Sequence, residues 1–193
     1  HGSEEAYRAA KARLFEALRP GATAIINADD PSAPHMIDAA RSAGARVLTT
    51  SLRESAADAF AEAVNLSATG IDARLTGPWD TIEATLPVVG LHNLSNILQA
   101  LLGAHVVANA DREALACALA AVRSPAGRLE PVTREDEPFT VLVDYAHTDD
   151  ALDNVCRALR PVVPADGRLI VVFGCGGDRD RTKRPRMARV ACA

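Results

Sequence analysis

Leu169-Ile-Val-Val-Phe-Gly-Cys-Gly-Gly-Asp-Arg-Asp-Arg-Thr-Lys-Arg-Pro-Arg186 is the stretch on which the reading turns. Its first five residues, Leu169 to Phe173, form an aliphatic, β-branched run bounded by glycine. That pattern predicts a strand buried on both faces. Gly174, Gly176 and Gly177 follow, where backbone can approach a ligand closely and present bare N–H groups. Arg179, Arg181, Lys183, Arg184 and Arg186 come next. A buried strand, a glycine turn and a knot of cations predict a seat for a small anion at a strand's carboxyl end. The competing reading is a tight turn into a solvated basic helix. Arg179 stands where a dinucleotide fingerprint needs glycine, and no Gly-Lys-Thr/Ser closes a phosphate loop.

Upstream of this stretch, Arg128 to Thr133 and Thr140 to Val143 read as strands. Asp144 ends the second, a position from which a carboxylate can take a ribose or a metal. Thr148-Asp149-Asp150 caps a helix running to about Leu159, with the two acids favouring its dipole. Ser124-Pro125-Ala126-Gly127 is the best linker in the chain and places the domain boundary there, giving domains 1–126 and 127–193.

The first domain alternates strand and helix. Glu4 to Leu18 reads as an amphipathic helix capped by Ser3 and stopped by Pro20-Gly21. Its apolar stripe is Tyr7, Ala10, Leu14, Ala17 and Leu18, and Lys11 falls within it. Either Lys11 snorkels to the helix edge, or burial depresses its pKa so that it reacts as the neutral amine. Thr23 to Asn27 and Arg46 to Thr50 read as parallel strands around a helix from about Ser32 to Ser42. Asp29 and Asp30 read as turn and cap residues. Residues 63–68 and 71–75 alternate around Thr69-Gly70 like a hairpin, and Thr81 to Val88 is a third strand. Trp79 reads as packing. Gly90-Leu-His-Asn-Leu-Ser-Asn96 opens a helix to about Val107, with Asn93 and Asn96 spaced so that both amides can face one ligand. The alternative for them is N-capping. His105 reads as structural, and a further helix runs from Arg112 to Val122.

Composition bounds the possibilities. The 193 residues are 48% apolar and 24% charged, a globular balance, and only 4% are aromatic, which predicts an aliphatic core. The net charge of −4 argues against a general nucleic-acid binder. Six of the eleven cations in residues 128–193 follow Asp178, so the basic cluster is local. Cys117, Cys156, Cys175 and Cys192 form no C-x-x-C pair, which speaks against zinc and against a disulfide framework and fits the cytoplasm. No apolar run is long enough to span a bilayer.

Six stretches together resemble the Mur ligases, most closely the UDP-N-acetylmuramoyl-tripeptide synthetases (MurE type). They are His1-Gly-Ser with Tyr7-Arg-Ala-Ala-Lys11, Ile26-Asn-Ala-Asp-Asp-Pro31, Gly90 to Asn96, Gly127-Arg-Leu-Glu130, Val143-Asp-Tyr-Ala-His-Thr-Asp-Asp-Ala-Leu152 and Phe173 to Pro185. They occur in family order across nearly the whole chain. Asp149 departs from the family's usual proline, and Thr182 from the glycine before Lys-Arg-Pro.

The resemblance implies an α/β fold. A truncated P-loop-type central domain, with a mainly parallel sheet and a small antiparallel part, precedes an incomplete Rossmann-like C-terminal domain. It implies an ATP-dependent ligase that adds a third amino acid, usually meso-diaminopimelate or lysine, to UDP-MurNAc-L-Ala-D-Glu. ATP and Mg²⁺ serve an acyl-phosphate route. The expected partners are the UDP-MurNAc-dipeptide and a diamino acid, with a monomeric protein, no nucleic acid and no membrane. Carried over by position, Lys11 is the carbamylated lysine that supports magnesium. Asn93 and Asn96 serve the adenine side, Arg128 and Asp144 contact the nucleotide with Asp144 on the ribose, and His147 shares that motif. Lys183 meets phosphate, and Arg179 meets the incoming amino acid's carboxylate. The family's uridine-binding domain and Gly-Lys-Thr loop are not in this sequence, so the expectation is a fragment that does not turn over alone. Alternatives are a sister Mur or folylpolyglutamate-type ligase, or a non-catalytic nucleotide-binding module derived from one.

Overall fold

The computed structural model describes residues 3–134, 137–176 and 180–193. Its contacts divide the chain into two compact units. The first comprises residues up to Ala63, Ala73–Ala84 and Leu94–Ala121. The second comprises Val64–Asp72, Thr85–Asn93 and Val122–Ala193.

The first unit is built on the parallel pair β1 (Thr23–Asn27) and β2 (Arg46–Ser51), which match residue for residue from Thr23↔Arg46 to Asn27↔Thr50. Alternation along β1 sends Ala24 and Ile26 to one face and Ile25 to the other. Ala24 and Ile26 meet the helices α1 (Glu4–Glu16) and α2 (Ala33–Ser42) through Ala33, Met36 and Ala40, with Ala12, Phe15 and Leu18 closing over them. On the opposite face Ile25 reaches Gly103 of α3 (Leu91–Ala108). α3 buries Leu94, Leu98, Leu101 and Leu102, a stripe at helical spacing. Sheet with helices on both faces is the arrangement expected of a parallel sheet, whose strands must be covered twice.

β2 pairs in parallel with β3 (Ala59–Leu66), and the five-stranded order continues through β4 (Ile71–Gly77) to β5 (Asp80–Leu86). The short connections from β3 to β4 and from β4 to β5 permit only antiparallel hairpins. Ser67 builds the first turn, its hydroxyl accepting the Gly70 N–H at 2.9 Å. Gly70 is required by close approach, because a Cβ there would lie 2.7 Å from the Leu86 carbonyl oxygen. Trp79 is 4% exposed in the second turn, the packing role expected of it.

α4 (Arg112–Ala120) is capped by the Asp111 carboxylate, which accepts the Ala114 N–H at 2.9 Å. Asp29 and Asp30 make the turn after β1. Asp30 accepts the Ser32 N–H at 2.7 Å, while Asp29 takes the Ser51 hydroxyl at 2.6 Å and the Leu52 N–H at 2.7 Å. In the second unit, β6 (Glu130–Pro131) and β7 (Leu142–Val143) form a two-residue antiparallel ladder. α5 (Asp149–Leu159) starts at the Thr148 cap, whose hydroxyl accepts the Ala151 N–H. α6 (Lys183–Cys192) buries Met187 against Leu152 and Cys156.

Two expectations fail. Lys11 does not lie on a buried face. α1 carries two apolar stripes, and the one that packs on α2 runs through Ala12 and Phe15, leaving Tyr7 and Leu14 48% and 70% exposed beside an exposed Lys11. Leu169 to Phe173 is not a strand buried on both faces. Leu169 and Val171 pack inward, but Ile170 and Val172 are 76% and 93% exposed, and no ladder pairs the segment among the described residues. A strand is buried twice only when layers exist on both sides, and here α5 and α6 supply one.

Candidate nucleotide site

The second unit gathers three of the expected site residues, Arg128, Asp144 and His147, on two loops stitched together, with Lys183 beside them. Gly127 to Glu130 forms a tight turn in which Glu130 accepts the Gly127 N–H at 2.8 Å. Leu129 sits at φ +48°, a left-handed conformation that is costly for a leucine. Its N–H is taken by Asp144 Oδ2 at 2.9 Å, and its side chain is 1% exposed beside Val89 and Leu159. The strain is thus held by packing on one side and a carboxylate on the other. Asp144 Oδ1 accepts the Ala146 N–H at 2.8 Å, and Tyr145 donates its N–H to the Gly127 carbonyl at 2.8 Å.

This stitching aligns the side chains. The Arg128 guanidinium stands 5.8 Å from the centre of the Tyr145 ring, and the His147 imidazole meets that ring edge-on at 5.4 Å. Lys183, the first residue of α6, donates from Nζ to the His147 carbonyl at 3.4 Å. Arg128, Tyr145 and His147 are all exposed, whereas Asp144 and Lys183 are half-buried. The result is an open, cationic, aromatic-floored surface with one fixed carboxylate. Such a surface suits the flat base, the ribose hydroxyls and the phosphates of a nucleotide.

An apolar cavity of about 120 Å³ lies behind Asp144, between α5 and the inward residues Leu169 and Val171. It is too small for a nucleoside, since ligand pockets start at roughly 300 Å³.

Two further residues belong to this cluster without a role predicted from sequence. Tyr145 lies inside the Asp144-to-His147 stretch, and an exposed aromatic between two polar site residues was the available signal. His92 packs its ring over Gly90, where a Cβ would meet it at 2.8 Å and where φ is +86°. Loss of solvent on that side pushes the imidazole below its ordinary value of 6.5; Asp144 opposes the shift and Arg128 adds to it.

The other candidates make none of these contacts. Asn93 is 5% exposed and its Nδ2 donates to the Val89 carbonyl at 2.8 Å, so its amide group is turned inward. Asn96 is exposed. Only the Asn93 Nδ2 is committed to the backbone. The cations after Gly177 are not all available either. Arg186 is paired with Asp149 at 2.9 Å and Asp180 at 3.5 Å. The Thr182 hydroxyl, then its backbone N–H, holds the Asp180 carboxyl below its ordinary value. Lys11 sits on the first unit with Nζ 4.6 Å from the centre of the Tyr7 ring. Arg179 lies outside the described residues.

Asp144 uses one lone pair on each oxygen and keeps others for ribose hydroxyls, so it fits a nucleotide. Among the described residues no group of three or more His, Cys, Asp or Glu could hold a metal ion. All four cysteines are free, and no helix among the described residues is long and apolar enough to cross a membrane.

The chain is similar to known proteins along nearly its whole length. The description "Mur ligase middle domain" matches residues 1–104, and "Mur ligase, glutamate ligase domain" matches residues 127–193. The chain is 42% identical over 190 residues to a UDP-N-acetylmuramoyl-L-alanyl-D-glutamate–2,6-diaminopimelate ligase of Chlamydia felis, covering 98% of this chain and 38% of that protein. The Synechocystis ligase of the same name is 42% identical over 193 residues, covering 99% and 37%. A solved structure of a ligase of that name superposes with a TM-score of 0.70 at 37% identity, covering 100% of this chain and 39% of the other. The ADP complex of Mycobacterium tuberculosis folylpolyglutamate synthase shares the fold, with a TM-score of 0.65 at 23% identity over 84% of this chain and 36% of that one. The chain thus spans about two fifths of the length of these relatives.

Proposed function

Because the chain belongs to the Mur ligase family, we propose that it is part of an ATP-dependent amide-bond ligase of peptidoglycan precursor synthesis. The substrate reading follows the relatives: a third amino acid, meso-diaminopimelate, is joined to UDP-MurNAc-L-Ala-D-Glu through an acyl phosphate. The observation that supports a nucleotide at this site is the stitched pair of loops. Asp144 fixes the strained Leu129 turn and remains able to accept from a ribose, while Arg128 stands over the Tyr145 ring and Lys183 reaches the His147 carbonyl.

In this reading Arg128 and Lys183 balance phosphate charge, and Tyr145 and His147 offer rings to the base. Asn96 presents an outward amide near the start of α3. Asn93 holds the helix start in place through Val89 and has its oxygen left for a ligand. Lys11 carries a carbamate that supports magnesium. Arg179 receives the carboxylate of the incoming amino acid. The protein acts in the cytoplasm as a monomer.

The test is ADP release by a protein of the relatives' full length that carries this sequence, given UDP-MurNAc-L-Ala-D-Glu and meso-diaminopimelate. Turnover that requires both substrates supports the proposal. Turnover with lysine in place of diaminopimelate would move the specificity, and turnover only with a folate and glutamate would overturn the assignment. Asp144→Ala in that protein should raise the KM for ATP by at least about tenfold, the loss of one charge-assisted contact set.

A further inference from the structure

A second cavity, of about 470 Å³, opens wholly within the first unit. It lies at the amino-terminal end of β2, bounded by the β4–β5 turn and the last turns of α3. Leu48 and Leu102, both buried, give it an apolar floor, and Arg46, Asp58, His105 and Asn109 supply polar groups around it. Its volume falls in the range of small-molecule pockets, roughly 300–1,000 Å³.

The polar groups are fixed yet unspent. Asp58 Oδ2 accepts both the N–H and the hydroxyl of Thr49, at 2.8 and 2.9 Å, which holds the carboxylate still and leaves Oδ1 open. His105 Nδ1 lies 2.8 Å from the Ala110 carbonyl, which can only accept, so Nδ1 carries the hydrogen and Nε2 of the neutral ring is an acceptor. The ring is further set by an edge contact with Trp79 at 6.0 Å. Among the described residues, neither the Arg46 guanidinium nor the Asn109 amide has a side-chain partner, and no ion pair joins Arg46 to Asp58. One cavity therefore presents a cation, an amide, an anion and an imidazole acceptor, and no ion pair joins its opposite charges among the described residues.

We propose that this cavity binds a free α-amino acid with an aliphatic side chain. The carboxylate meets Arg46 and Asn109, the ammonium meets Asp58 and His105 Nε2, and the side chain rests on Leu48 and Leu102. A zwitterion satisfies both sets of groups at once. A simple anion leaves Asp58 facing it, and a simple cation leaves Arg46 facing it. The site shares no residue with the nucleotide surface, so it stands whether or not the ligase assignment does.

The test is ligand-observed NMR on the chain with L-leucine as probe, beside isovalerate and isopentylamine, which keep one charged end each. Leucine is expected to bind saturably with a millimolar or tighter Kd, and each half-molecule at least about tenfold more weakly. Arg46→Gln, an exposed position, should weaken leucine by at least about tenfold. Asp58→Asn, which keeps an oxygen for Thr49, should do the same, and Asn109→Ala is the alternative where thermal melting shows Asp58→Asn unfolded. No saturable leucine binding up to about 50 mM, isovalerate binding as tightly as leucine, or Arg46→Gln binding unchanged would each overturn the proposal.

Discussion

Ile25-Ile26 of β1 and Ile170-Val171 near the C-terminus belong to aliphatic runs that read alike, yet they meet different fates. β1 has β2 hydrogen-bonded along its whole length, helices α1 and α2 over Ile26, and α3 over Ile25. The segment 169–173 has an apolar cluster on one side only, and Ile170 and Val172 face solvent. Composition sets how much a segment gains from burial. Whether it is buried depends on what lies on each side of it.

The sharpest way to break this comparison is to truncate one residue from each run. Ile26→Ala should cost about 2–5 kcal/mol, the transfer and cavity loss of a buried isoleucine. Val172→Ala should stay within about 0.5 kcal/mol, because its side chain is already in water. Urea midpoints of the two variants measure both. Equal losses would mean that the 169–173 segment is covered in solution.

The same contrast runs through one helix at finer scale. Asn93→Ala removes a buried amide donor from the Val89 carbonyl and should cost about 1–3 kcal/mol. Asn96→Ala, three residues on and exposed, should leave the urea midpoint within about 0.5 kcal/mol of the parent. A nucleotide-affinity loss confined to Asn96→Ala would separate ligand binding from structure at this helix start.

Much of this was legible in the sequence because it depended on local chemistry. Ser3 and Thr148 cap helices where capping residues precede apolar periodicity. The Ser67–Gly70 hairpin turn and the Asp29–Asp30 turn follow from turn residues alone. Asp144 was found because it sits at a strand end, and Arg128 through the resemblance to the family. What sequence could not resolve was choice between equivalents. α1 offers two apolar stripes, and only the presence of α2 selects Ala12 and Phe15 over Tyr7 and Leu14. Asn93 and Asn96 are identical residues whose difference is the inward turn of one amide toward Val89. The Arg46–Asp58–His105 cavity joins residues up to 63 positions apart in the chain, a gathering no local spacing announces.

A subtler asymmetry concerns protons. His92 is depressed in the folded chain, chiefly by lost solvation, so the unfolded chain binds more protons between that lowered value and 6.5. Stability therefore holds above pH 6.5 and falls as pH drops through the folded-state value. His92→Gln should flatten that part of a stability–pH profile. A slope unchanged by the substitution would place the titration elsewhere.

The smallest expected effect tests whether the Tyr145 ring is there for the fold or for a ligand. Tyr145 is 69% exposed and lies between Arg128 and His147 without burying either. An exposed cation–π contact stabilises by about 0.5–1 kcal/mol, so Tyr145→Leu should move the urea midpoint only slightly. A base stacked on the same ring loses about 1–3 kcal/mol when the aromatic is removed. Nucleotide affinity should then fall by more than folding stability does. If both fall equally, Tyr145 serves the Gly127–Glu130 turn through Arg128, and the nucleotide surface has a different floor.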